Sequence, residues 1–248
     1  MSLKLKETYK VQINDIDFTG KMSMNGLSSY MQIIAGNHAS ILGFNYYKNS
    51  STPEYYWILS RVKYEITIYP RWEDTVHMET YPGGHDKLYA VRLFNLYNET
   101  GEKLGQIIGD YVLMEAATNK PVRLKGITGK LSFLDFPYEG ETLKKIKLPK
   151  EAIKVEKRKA RYSEMDLNGH MNNAHYVRWA VDMLPMDLFA EYEISSLEIN
   201  YNAAITCGAE VNVALMANEE NDFIVYGNSV EDTKNYFVAQ ITLRKIVQ

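Results

Sequence analysis

One short stretch of this chain occurs twice. Asp17-Phe18-Thr19-Gly20-Lys21-Met22 lines up with Asp166-Leu167-Asn168-Gly169-His170-Met171 at an offset of 149 residues. A chain made of two related halves must build the same elements in each, so a reading of one half constrains the other. In the first copy Leu27, Tyr30, Met31, Ile34, His38 and Ile41 recur at helical spacing, with Asn25 as the expected N-cap and Gly43 as the stop. In the second, Tyr176, Val177, Ala180, Val181 and Leu184 do the same, with Asn173 as the expected cap and Pro185 near the end. Strand patterns follow each helix. Residues 60–68 place Val62, Tyr64, Ile66 and Ile68 on one face, and residues 196–201 place Leu197, Ile199 and Tyr201 on one face. Residues 109–114 (GDYVLM) resemble residues 239–244 (AQITLR).

These patterns predict an α+β fold of two units, each a central helix packed on an antiparallel sheet, with the two sheets side by side along a buried seam. The expected division is an N-terminal unit over 1–125, a linker over 126–150 and a C-terminal unit over 151–248. The linker loses periodicity and gathers Gly, Pro and Lys. The chain has 248 residues, of which 46% are hydrophobic, enough for a packed core. Nineteen tyrosines suit half-buried strand positions.

Charge and cysteine content narrow the function classes. Twenty-eight basic residues against 31 acidic ones give a net charge of -3, without the basic excess of a nucleic-acid binder. No stretch approaches the roughly 18 apolar residues of a membrane helix, and the N-terminus has no signal-like apolar region, so the expected location is cytoplasmic. Cys207 is the only cysteine, which excludes an internal disulfide and CxxC-type metal sites. Residues 144–161 carry nine basic side chains against Glu151 and Glu156. A solvated linker and a strand edge guarded by lysine account for them; an acidic protein partner is the other reading.

Residues 162–176, YSEMDLNGHMNNAHY, gather the chemistry-bearing side chains. Turn and cap formation explain much Asn, Asp and Gly. The repeat separates the roles: Gly20 and Met22 persist in the second copy as Gly169 and Met171, whereas Asn168 and His170 replace Thr19 and Lys21. One working site per chain would produce that difference. Asp166 is less distinctive, because Asp17 occupies the same place in the first turn.

Across nearly its whole length the chain resembles the acyl-acyl-carrier-protein thioesterases, of the bacterial kind related to plant plastid enzymes. Residues 57–83 are similar to the family's W-x-L-S-R segment and the P-R-W-G-D turn after it, and Thr100-Gly101-Glu102 to its hairpin. Asp166-Leu167-Asn168-Gly169-His170-Met171-Asn172-Asn173 matches D-x-N-x-H-x-N-N, followed by Tyr176 and Trp179. There are departures. Glu73 stands where glycine is usual and Leu93 where aspartate is common, and Ala204 and Ile205 occupy the acid and cysteine positions of the family strand. Cys207 lies two residues further on and is assigned no nucleophile role.

The resemblance implies a tandem hotdog fold and hydrolysis of fatty acyl-carrier-protein thioesters, with acyl carrier protein as partner and no cofactor or metal. It implies Asp166, Asn168 and His170 as the catalytic residues: Asp166 to activate water or attack directly, His170 to polarise the carbonyl or protonate the leaving thiolate, and Asn168 to hold the water or carboxylate. Unpaired amides at the start of the following helix are expected to receive the oxyanion. Leu27, Met31 and Ile34 are the candidates for contact with the acyl chain, although helix packing asks for the same spacing. His38, on the same apolar face, reads as a satisfied interface histidine, and His175 and Asn172 as surface or capping residues. A metal site from Asp166, His170 and His175 fits no recognised ligand spacing. Hotdog hydratases use D-x-N-P-x-H, which differs here in spacing and lacks the proline. An acyl-CoA thioesterase and a non-hydrolytic acyl-binding protein are the remaining alternatives. A homodimer is the default for such folds.

Overall fold

The structure, a computed structural model, describes residues 3–44, 54–125, 131, 134, 136–148 and 151–246. The first half runs β1 (Leu5–Lys10), α1 (Met24–Ile41), β2 (Tyr55–Ile66), β3 (Thr75–Asp86), β4 (Tyr89–Tyr97), β5 (Lys103–Glu115) and a short β6 (Lys120–Pro121). The second repeats the plan as β7 (Lys154–Lys159), α2 (Asn173–Val181), β8 (Tyr192–Tyr201), β9 (Glu210–Glu219), β10 (Asp222–Ser229) and β11 (Asn235–Lys245). The strands form one sheet in the order β1-β3-β4-β5-β2-β8-β11-β10-β9-β7, with β6 beside β5. The two expected sheets are therefore continuous, joined where β2 pairs antiparallel with β8 from Arg61–Asn200 to Glu65–Ser196.

Alternation explains the sheet's faces. Val62, Tyr64 and Ile66 on β2 and Leu197 and Ile199 on β8 are at most 3% exposed and share one core with α1 and α2. The alternation ends at Ile66: Ile68 lies beyond β2 and is 40% exposed. Leu27, Met31 and Ile34 on α1 are fully buried in that core, each contributing roughly 1.5–3 kcal/mol by burial. Ile41, at the last position of α1, is exposed instead. Gly43 follows at φ 89°, a left-handed stop that glycine favours.

Both expected caps shift. Ser23, not Asn25, caps α1 by accepting from Gly26 N, and Asn172, not Asn173, caps α2 by accepting from Ala174 N. Tertiary bonds set these positions: Ser23 N donates to Asp15 O and Asn172 N to Glu164 O, each at 2.8 Å. His38 is buried with Nδ1 2.8 Å from an Arg92 guanidinium nitrogen, but its Nε2 has no partner, so it is not fully satisfied. Burial, then the Arg92 charge, lowers its pKa to about 4.

The described part of residues 126–150 crosses the sheet on the face away from the helices. Arg61 Nη1 donates to Leu143 O, Ile146 N donates to Asn200 Oδ1, and Leu143 and Ile146 are buried there. At the far edge the basic strand β7 pairs only with β9, and Lys154, Lys157 and Arg158 form ion pairs with Glu156, Glu210 and Asp182. Among the described residues no helix is long and apolar enough to cross a membrane.

Candidate active site

The path from β7 to α2 shapes the site. A single turn of helix over Tyr162–Glu164 leads to Met165, which bridges Met171 and pinches residues 166–170 into a loop. Within it Asp166 N donates to His170 O at 2.7 Å and Gly169 N to Asp166 O at 3.1 Å. Gly169 sits at φ 74° and its counterpart Gly20 at φ 75°, which is why both turns keep glycine. Asp166 Oδ1 accepts from Asn168 N at 2.8 Å and His170 N at 3.2 Å. Asp17 makes the corresponding bond to Thr19 N and adds one from the Thr19 hydroxyl. One carboxylate oxygen is thus structural in both copies.

The remaining groups differ. No hydrogen bond among the described residues reaches Asp166 Oδ2, and none reaches the side chains of Asn168 and His170, both exposed. In the first copy the position of His170 is taken by Lys21, whose ammonium is committed to Glu193 of β8. The second loop therefore presents a half-buried carboxylate, an amide and an imidazole with free valences.

The loop has a braced frame. Glu164 accepts from Arg161 N and from the Trp179 indole, as Asp15 accepts from Gln12 N and the Tyr30 hydroxyl in the first copy. Tyr176 accepts from Ile205 N at 2.9 Å, and Ile205 O accepts from Met171 N at 2.8 Å. Tyr176 and Trp179 thus hold helix, loop and the 203–206 turn together. Ile205 is fully buried, while Ala204 and Cys207 are exposed. The free helix-start amides expected for an oxyanion are not all present: Asn172 occupies those of Ala174 and His175 through its side chain and carbonyl. A residue that caps a helix consumes those donors.

Beside the loop's neck lies a cleft of about 290 Å³ between α1 and α2. Asn25, Ser29 and Gln32 line it from α1, and Met165, Asn172 and His175 from the second half. Gln32 Nε2 reaches across to Asn172 Oδ1 at 3.1 Å. Asn25 Oδ1 and His175 Nδ1 are buried without a hydrogen-bond partner. Burial, more than the nearby Arg178, lowers the His175 pKa, while Glu164 opposes the shift. His175 is thus half-buried at the cleft and makes no capping bond. The role of Asn25 also escapes the sequence pattern, which offers it as a cap. Leu27, Met31 and Ile34 do not line this cleft; they are packed in the core. No metal-binding cluster of His, Cys, Asp and Glu occurs among the described residues.

A duplicated helix-on-sheet unit whose two sheets join edge to edge through β2 and β8 defines a tandem hotdog fold. The chain belongs to the acyl-ACP thioesterase family: residues 2–126 match its N-terminal domain and residues 147–244 its C-terminal domain. Among relatives, it is 24% identical over 216 residues to the chloroplastic oleoyl-acyl carrier protein thioesterase of Coriandrum sativum, covering 80% of this chain and 58% of that protein. It is 24% identical over 257 residues to oleoyl-acyl carrier protein thioesterase 2 of Arabidopsis thaliana, covering 96% and 65%. The chain thus spans less than two thirds of the length of these relatives. A solved acyl-ACP thioesterase from Bacteroides thetaiotaomicron superposes with a TM-score of 0.86 at 24% identity, covering 98% of this chain and 100% of that one. The 12:0-ACP thioesterase from Umbellularia californica gives 0.86 at 22% identity, covering 99% of each. These two superpositions establish the fold.

Proposed function

We propose that this chain hydrolyses the thioester of a fatty acyl chain carried on acyl carrier protein, releasing the free fatty acid and the holo carrier. The observation that carries this reading is the match of both halves to the two domains of one thioesterase family. The arrangement of the loop supports the assignment of roles. Asp166 Oδ2, the oxygen not held by the loop's own amides, takes a proton from water as the water attacks the carbonyl carbon. The side-chain amide of Asn168 orients that water. As the C–S bond breaks and the C–O bond stands, His170 delivers a proton to the departing thiolate. Leu27, Met31 and Ile34 form the wall of the first half against which the acyl chain lies, which requires the core there to open around the chain.

Acyl carrier protein is the proposed partner. The exposed basic residues of the linker end and β7 run into Arg161, five positions before Asp166, so an acidic carrier docked on them would reach the loop. A cytoplasmic setting suits the lone free thiol of Cys207. Association of two chains through the free β1 or β7 edges belongs to the same proposal, and sedimentation checks it.

Thiol release from a panel of acyl chain lengths, each on acyl carrier protein and on CoA, tests the reading. Asp166→Asn and His170→Ala are each expected to lower turnover by about 10²–10⁴-fold with unchanged thermal stability. Near-normal turnover in either variant sinks the role given to that residue, and preference for CoA sinks the partner.

A further inference from the structure

The cleft between α1 and α2 has no part in the chemistry above, yet it is built unlike its surroundings. The residues equivalent to Asn25 and His175 in the opposite copies are Ala174 and Gly26. Gly26 is confined: a Cβ there would lie 2.7 Å from Asp15 O, so α1 sits hard against its own turn. The same position on α2 carries a whole imidazole, and a cleft exists beside it. The two copies therefore differ in spacing as well as in residue type, on the side of the molecule that holds the Asp166 loop.

Two buried polar atoms, Asn25 Oδ1 and His175 Nδ1, belong to side chains that line this cleft and have no hydrogen-bond partner. Orphaned buried polar atoms are costly, and natural folds retain them chiefly where a ligand or water completes them. The other polar lining groups, Ser29, Gln32 and Asn172, stand among Ile33, Met165 and Ala174, a mixed lining that matches a chain of amides and methylenes. The volume is at the low end of small-ligand sites and suits a narrow arm. Met165 and Asn172 belong both to the cleft wall and to the residues that flank the reactive loop.

We propose that this cleft seats the phosphopantetheine arm that carries the acyl group, with Asn25 and His175 hydrogen-bonding the arm's amides. Two secondary amides separated by short methylene stretches supply the N–H that Asn25 Oδ1 lacks and either a donor or an acceptor for His175 Nδ1. Gln32 and Asn172, already bonded to each other, form a bridge between the helices along which the arm lies. The thioester at the end of the arm then reaches the Asp166 loop. The inference rests on the proposed hydrolysis of a carrier-bound thioester.

S-dodecyl phosphopantetheine, a thioether that hydrolysis cannot cleave, is the probe, with binding followed by calorimetry and dodecanoate as the control for the chain alone. Asn25→Leu and His175→Phe are each expected to weaken thioether binding about tenfold, as the loss of a buried hydrogen bond does, and to leave dodecanoate binding and thermal stability unchanged. Asn25→Ala and His175→Ala serve if the larger replacements do not fold. Unchanged thioether binding in the variants overturns the proposal, as does a parallel loss of dodecanoate binding or failure of the wild type to bind the thioether. The same thioether carried on acyl carrier protein and on CoA identifies which carrier delivers the arm. Binding without hydrolysis would overturn the proposed function alone; hydrolysis that the variants leave untouched would overturn the arm's seat alone.

Discussion

Asp110 shows how much of this fold is settled by single side chains that the site does not use. It lies on β5 opposite Arg61 and Val91, only 2% exposed. Burial pushes its pKa up to about 7; Arg61 pulls it down, and Glu198 and Asp86 push it further up. In the folded chain the carboxyl keeps its proton up to about neutral pH, whereas the unfolded chain releases it near the usual value of 3.8. The folded pKa is raised, so the contribution to stability is complete below about pH 4 and is lost as pH rises toward 7. Urea unfolding from pH 4 to 8 is expected to show Asp110→Asn gaining on the wild type by about 4 kcal/mol over that range. A parallel pH dependence in both proteins would show that Asp110 ionises freely in the fold. Glu73 carries strain of another kind. It stands at φ 69°, a left-handed conformation that favours the glycine usual in that turn.

Helix α2 has nine residues against eighteen in α1, too few to be stable alone in water. It depends on its cap, on the Trp179–Glu164 bond and on the Tyr176 hydroxyl at Ile205 N. Asn172 does double duty, because its Oδ1 accepts from Ala174 N and from Gln32 of α1. Asn172→Ala is therefore expected to cost about 2 kcal/mol, and Ser23→Ala, a cap on the longer helix, about 1 kcal/mol. Denaturant titration of the two variants checks the order, and equal losses would show that the cross-helix bond contributes nothing. The same elements show what the sequence made legible. Both helices and most of their buried faces followed from periodicity, and β2 and β8 from alternation, because burial imposes those periods directly; Ile41 is exposed and Leu184 lies beyond α2. The caps did not follow, since Asn25 and Asn173 satisfy the local rule as well as Ser23 and Asn172; contacts to Asp15 and Glu164, remote from the pattern, decide between them. The difference between the two loops was legible by comparison of the copies, because Thr19 and Lys21 are bonded where Asn168 and His170 are not. The cleft was not, because its polar lining comes from α1 and from the start of α2, and no local pattern couples residues that far apart.

At the scale of the whole molecule the question is why the two halves pair with each other and not with copies of themselves. The seam sets Val62 opposite Ile199, Lys63 opposite Glu198 and Arg61 opposite Asn200. The equivalence of the halves holds across it, for Gly109 pairs with Val62 as Ala239 pairs with Ile199. By that symmetry a seam of two first halves would set Lys63 opposite Arg61, and like charges facing across strands are destabilising. In the chain as it stands, Lys63 and Arg61 instead draw the pKa of Glu198 down against the larger effect of its burial, which raises it. The duplication has thus diverged on the outer face of the seam while keeping its apolar inner face, which gives the join a preferred partner. Lys63→Glu is expected to lower stability by about 1–2 kcal/mol, because its ion pair with Glu65 is lost and its carboxylate then faces Glu198 at a partly buried position. Glu198→Lys should cost less, and the double variant should recover about 1 kcal/mol of the summed losses, a coupling that a double-mutant cycle in guanidinium measures. Additive losses would mean that these charges do not meet across the seam, leaving partner choice to the apolar face of β2 and β8 alone.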